Sequence, residues 1–147
     1  MNYEQLRQKY DLPELEILSF EFEIDKESEF ILREVRRKIN ERIEAYCDVL
    51  SGILQPDASN IIQMHEVAYF DEKEKNKVFK YYRKLMKISR ESLEIGLEAN
   101  EHREAMFINS IFNEWKSIKE QMIEIIKILK ESWEKDSQNE EDLRYMG

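Results

Sequence analysis

Between Ile108 and Leu129 the apolar residues Ile108, Ile111, Trp115, Ile118, Met122, Ile125 and Leu129 recur at alternating steps of three and four. An α-helix gathers positions so spaced onto one stripe, and the alternation marks the seam of a helix packed nearly parallel to its neighbours. A chain with such a stripe must supply further helices to cover it. Ile123, Ile126 and Ile128 widen the stripe, so this helix is expected to touch more than one neighbour.

Three Gly, two Pro and 37% charged residues leave little turn-forming material for the many short strands of an all-β fold. The expected fold is therefore all-α: an antiparallel bundle of three long helices plus one short helix, with an extended N-terminal arm. The expected division is an arm over 1–25, a helical bundle over 26–135 and a flexible acidic tail over 136–147 that ends in Leu143, Tyr145 and Met146.

The first long helix is placed at 26–54, with Asp25 as N-cap. Its apolar face is Phe30 or Ile31, Val35, Ile39, Ile43, Tyr46, Leu50 and Ile53, and Gln55-Pro56-Asp57 ends it. Ser59 is expected to cap a short helix through Ile61, Ile62, His65 and Ala68. Asp71 and Glu74 read as a capping box with Asp in the Ser/Thr position, opening a second long helix. Its expected apolar side is Val78, Phe79, Tyr82, Leu85, Met86, Ser89 and Leu93, and Gly96 with Asn100 predicts a turn into the third.

Ahead of these, residues 3 to 10 read as a short helix presenting Tyr3, Leu6 and Tyr10, and Asp11-Leu12-Pro13 as extended chain. From Leu18 to Ile24 the pattern alternates strictly, with Leu18, Phe20, Phe22 and Ile24 on one side and Ser19, Glu21 and Glu23 on the other. A lone strand leaves its backbone groups unpaired, so the arm is expected to lie along the bundle or pair with another chain.

The net charge of −9 argues against a chain that coats nucleic acid over its whole surface. Residues 73–90 nevertheless carry +7, from Lys73, Lys75, Lys77, Lys80, Arg83, Lys84, Lys87 and Arg90 against Glu74 alone. Lys73, Lys77, Lys80, Arg83, Lys84, Lys87 and Arg90 could follow a phosphate backbone, with Tyr81 or Tyr82 stacking on a base. The competing reading is a solvated face that pairs with the acidic helices beside it. Arg33, Arg36, Arg37, Lys38 and Arg42 interleave with Glu29, Glu34, Glu41 and Glu44, which points to local pairing along one helix.

Glu91, Glu94, Glu98, Glu101 and Glu104, with His102 nearby, form a ladder that could hold Mg²⁺ or a two-metal site. Such a site needs carboxylates from a second helix, and the turn at Asn100 divides the ladder; a solvated acidic face is the competing reading. Gly52, Gly96 and Gly147 are isolated, so no glycine-rich loop cradles a phosphate, and Gly-x-Ser-x-Gly, Cys-x-x-Cys and His-Glu-x-x-His do not occur. Cys47 is the single cysteine and reads as a small core hydrophobe, while His65 and His102 read as core-edge or surface residues.

No apolar run of about 18 residues and no basic-then-apolar leader occurs, which predicts a cytoplasmic protein with no membrane contact. The leading expectation is a non-enzymatic interaction protein without cofactor: an adaptor, accessory subunit or inhibitor that binds a protein partner or a second copy. Its expected surface is Met122, Ile123, Ile125, Ile126, Leu129 and Trp133, together with Leu18, Phe20 and Phe22 of the arm. The alternatives are a nucleic-acid-associated protein using 73–90 and a metal-dependent all-helical enzyme using the acidic ladder.

Overall fold

A computed structural model describes residues 1–134, and over these the chain is all-helical, with six helices and no strand. The tail expected over 136–147, with Leu143, Tyr145 and Met146, lies outside the described residues. In chain order the helices are α1 (Tyr3–Tyr10), α2 (Leu15–Phe22), α3 (Ile31–Leu54), α4 (Ile61–Val67), α5 (Glu72–Glu98) and α6 (Glu101–Glu134). Three are long, as expected, but three rather than one are short, because the N-terminal arm is itself a pair of helices.

The extended reading of Leu18 to Ile24 is thereby corrected. Leu18 and Phe22 are four apart, a spacing that serves a strand face and a helix face equally. As a helix, α2 satisfies its own backbone, ending with the Glu23 N–H donating to the Ser19 carbonyl at 2.9 Å, whereas a lone strand has no such partner. The cost is that Phe20, which a strand would have placed beside Leu18, points outward at 86% exposure.

Local chemistry sets the other boundaries. Asn2 and Gln5 form a reciprocal capping box at the start of α1. The Tyr3 hydroxyl donates to the Pro13 carbonyl, and burial pushes its phenol up to about 12. Asp25 does not cap α3, which begins at Ile31 rather than residue 26. Instead its carboxylate accepts from the Glu27 N–H at 3.0 Å while its own N–H donates to Glu34 at 3.0 Å, which closes a turn. Asn60 rather than Ser59 caps α4, accepting from the Ile62 and Gln63 N–H groups. The capping box of α5 forms as expected, with Glu74 N–H to Asp71 at 2.7 Å and Asp71 N–H to Glu74 at 3.0 Å. The turn into α6 also forms: Ala99 adopts the left-handed region at φ 52°, Asn100 accepts from the Arg103 N–H, and Gly96 remains helical.

The chain divides into two compact units, Met1–Ala45 with Leu85–Ile118, and Tyr46–Lys84 with Lys119–Gly147. In the first, Val35, Ile39 and Ile43 of α3 are buried with Leu85 and Ile95 of α5 and Ile108 and Trp115 of α6. Leu18 and Phe22 of α2 complete this core, the Phe22 ring lying 4.7 Å from that of Trp115. Beside it runs a polar seam. Arg36, Asn40 and Glu44, one helical turn apart on α3, share it with the small residues Ser89, Ser92 and Gly96 of α5. The Arg36 guanidinium donates through Nε to Glu104 of α6 at 2.7 Å, and through Nη1 to the Ser92 carbonyl at 3.1 Å and hydroxyl at 2.9 Å. A Cβ on Gly96 would sit 3.1 Å from Arg36 Nη2, so the missing side chain makes room for the guanidinium.

In the second unit Leu50 and Ile53 of α3, Phe70, Val78 and Tyr81, and Met122 and Ile125 of α6 are buried, and Cys47 with them. His65 of α4 donates through Nε2 to the Ser132 carbonyl at 2.8 Å, and its ring lies 4.3 Å from that of Trp133. The Trp133 indole N–H donates to Glu66 at 2.9 Å, so α4 is tied to the end of α6 by two polar bonds as well as by ring contact. No described helix is long and apolar enough to cross a membrane.

Removing one partner of a buried ion pair leaves an uncompensated charge, so Arg36→Met is expected to cost about 3–5 kcal/mol in urea unfolding. Burial pushes the Glu104 carboxyl above the usual carboxylate range, against the opposing attraction of Arg36 and Arg33. The folded state then binds more protons than the unfolded chain across that window, and the contribution of Glu104 falls as pH rises through it. The stability of the wild type minus that of Glu104→Gln should therefore decrease as pH rises above the ordinary glutamate pKa of about 4.3. A difference that rises over that range would contradict the assignment.

Candidate functional site

In the second unit, the first half of α5 and the second half of α6 border a groove of about 680 Å³. Val78, Tyr81, Ile125 and Ile128 supply its apolar lining, Lys77, Lys80, Lys84 and Gln121 its polar lining, and Glu74 and Glu124 its two carboxylates. Helical geometry explains the arrangement. Lys73, Lys77, Lys80 and Lys84 step by four, three and four along one stripe of α5, next to the stripe that buries Val78 and Tyr81.

Lys73, Lys77, Lys80 and Arg83 are exposed and make no ion pair with a described residue, whereas Lys75 lies 3.9 Å from Glu72. Arg83 instead places its guanidinium 5.9 Å from the centre of the Phe79 ring. Lys87 and Arg90 are exposed farther along α5, in the stretch belonging to the first unit. Tyr81 does not belong to this open face. It is 4% exposed, and burial raises its phenol above the ordinary value, with Tyr46 and Cys47 adding to the effect. A seam stepping by three and four through Val78, Tyr81, Leu85, Ile88, Ser92 and Ile95 was present in the sequence to signal this burial. The expectation that Phe79, Tyr82 and Leu93 lie on the core side is corrected accordingly: Phe79 and Leu93 are about half exposed, and Tyr82 is half-buried.

Several of the apolar residues expected as a surface on α6 and the arm are core. Met122 and Ile125 are buried in the second unit, and Leu18 and Phe22 in the first, where they serve as core. Leu129 is half-buried, while Ile123, Ile126, Trp133 and Phe20 remain exposed.

The acidic ladder is divided at Ala99 and Asn100 between α5 and α6, and four of its five carboxylates, those of Glu94, Glu98, Glu101 and Glu104, are bonded within the chain. Glu94 and Glu98 both accept from Arg103, and Glu104 accepts from Arg36. Glu101 accepts from the Tyr10 hydroxyl at 2.6 Å and from Lys9 at 3.4 Å, and the Tyr10 hydrogen bond holds its carboxyl below the ordinary range. Among the described residues no group of three or more His, Cys, Asp or Glu side chains is placed to hold a metal ion.

Compared with known protein families, curated proteins and solved structures, the chain finds no significant match.

Because Lys77 and Lys80 hold nothing described in place, Lys77→Ala and Lys80→Ala should each leave stability within about 0.5 kcal/mol of wild type. His65→Ala removes both the bond to Ser132 and the ring contact with Trp133, and should cost about 2 kcal/mol or more. Thermal and urea unfolding measure both, and a large loss on lysine substitution would show that the rim is structural.

Proposed function

We propose that this chain is a non-enzymatic cytoplasmic interaction protein, an adaptor, accessory subunit or inhibitor. Its partner would be a protein that inserts a carboxylate-bearing amphipathic helix into the lysine-rimmed groove. The observation that carries the reading is the pairing of an apolar floor, Val78, Ile125 and Ile128, with Lys77 and Lys80, which are exposed and have no described ion-pair partner. Apolar burial supplies affinity in such grooves, and rim cations supply orientation and association rate. An antiparallel packing of the three long helices would serve as the scaffold that keeps α5 and α6 in register. Two of the side chains that could do chemistry already have structural bonds, His65 to Ser132 and Glu104 to Arg36.

A second reading, nucleic-acid association, is favoured by the row of exposed cations Lys73, Lys77, Lys80 and Arg83. Against it stand the burial of Tyr81, which removes one stacking ring, and the presence of Glu74 and Glu124 in the same groove.

The double variant Lys77→Glu/Lys80→Glu separates the two. Affinity capture at low salt should recover an acidic protein with the wild type, release it as salt is raised, and lose it with the double variant, whose circular dichroism is unchanged. Capture that the double variant retains in full would overturn the reading. A mobility shift of single- or double-stranded probes that the double variant abolishes would establish nucleic-acid association instead.

A further inference from the structure

In the first unit a second groove, of about 780 Å³, lies between the start of α3 and the end of α5 and is unrelated to the lysine-rimmed one. Its apolar lining is conspicuously open: Phe30 is 65% exposed, Leu93 50% and Leu97 89%. Exposed apolar side chains gathered in one groove mark an interaction surface rather than a solvated one. Arg33, Arg36 and Arg37 line the same groove. Arg36 is committed to Glu104 and Ser92, but Arg33 makes no ion pair with a described residue, and Arg37 has only Glu34 at 3.9 Å. Guanidinium groups beside aromatic and aliphatic anchors suit a partner that brings carboxylates and apolar side chains together.

The chain itself carries such a partner. On α2 and its C-cap, Glu16, Ile17, Phe20 and Glu23 share the side opposite the buried Leu18 and Phe22, and all four are exposed. Lys26 pairs with Glu16 at 2.8 Å, but Glu23 makes no ion pair with a described residue. The inner side of α2 is anchored by the Phe22 contact with Trp115 and by the Trp115 indole N–H donating to Glu21 at 2.9 Å. Phe20 is therefore presented on a fixed helix, and at 86% exposure it is not seated in the groove of its own molecule.

We infer that the outer face of α2 docks into the arginine groove of a second copy of this chain, with Phe20 and Ile17 against Phe30, Leu93 and Leu97, and Glu23 against Arg33 or Arg37. The contact joins two different surfaces, so a bound pair still offers one free α2 face and one free groove, and assembly continues head to tail.

Sedimentation velocity on the full chain tests this directly. The wild type should exceed its 17.9 kDa monomer mass in a concentration-dependent way. Phe20→Ser and Arg33→Glu/Arg37→Glu should each weaken association by roughly tenfold or more. Each variant keeps one intact surface, so mixing the two should restore a one-to-one heterodimer that grows no further. Since the altered residues are exposed, circular dichroism should match wild type; Leu97→Ser provides an independent groove variant. A wild type that stays monomeric would overturn the inference, as would variants that remain associated or a mixture that stays monomeric. Loss of self-association on Lys77→Glu/Lys80→Glu would also overturn it, by placing α2 in the other groove.

Discussion

The first unit depends on a buried guanidinium. Arg36 leaves α3 and bonds to both other long helices, to Ser92 on α5 and to Glu104 on α6, with 6% and 8% of the Arg36 and Glu104 side chains exposed. An interior charge is tolerated only when its donors are met, and sliding any of the three helices by one turn, about 5.4 Å, would strip a partner from it. Such a pair adds little net stability over an apolar core of the same volume; what it contributes is register. The rest of the seam has the same character. Asn40 Oδ1 is buried with no hydrogen-bond partner among the described residues, a defect worth about 1–3 kcal/mol. That cost is accepted in a seam where Ser89, Ser92 and Gly96 are small enough for polar side chains to enter.

This seam also marks what the sequence could convey and what it could not. Stripes stepping by three and four placed the long helices, because burial along a helix repeats with the period of the helix. The ends of α5 were legible for a local reason: Asp71 and Glu74 bond to each other's backbone, and Asn100 to that of Arg103, within three residues. Arg36 was not legible. It sits among Arg33, Arg37, Lys38 and Arg42, which interleave with Glu29, Glu34, Glu41 and Glu44, although of Arg33, Arg36 and Arg37 only Arg37 has two of these glutamates, Glu34 and Glu41, at helical spacing. Its place on the buried side of α3, one turn from Leu32 and Asn40, turns it inward, and the absence of a side chain at Gly96, sixty residues away, makes room for it. The arm failed for a related reason, since Leu18 and Phe22 fit both periods and the deciding fact, the lack of a second strand, lies outside the segment. On α5 the choice between Tyr81 and Tyr82 turned on which of two overlapping stripes faced the core.

Charge alone therefore does not mark a site in this chain, because its cations have three different fates. Arg36 is interior and fixes register. Arg103 and Lys9 sit at the surface but are paired with the acidic ladder, Arg103 with Glu94 and Glu98 and Lys9 with Glu101. Lys77, Lys80 and Arg33 are exposed without a described ion-pair partner, and each stands beside an apolar lining. On a chain of net charge −9, open cations without such a lining would meet a repulsive surrounding field and hold an anionic surface only weakly. Combined with the half-buried Ile128 in one groove, or with Phe30 and Leu97 in the other, they can be desolvated against a partner whose own apolar residues supply most of the binding free energy. The coincidence of open charge and an apolar lining, rather than either alone, selects these two grooves.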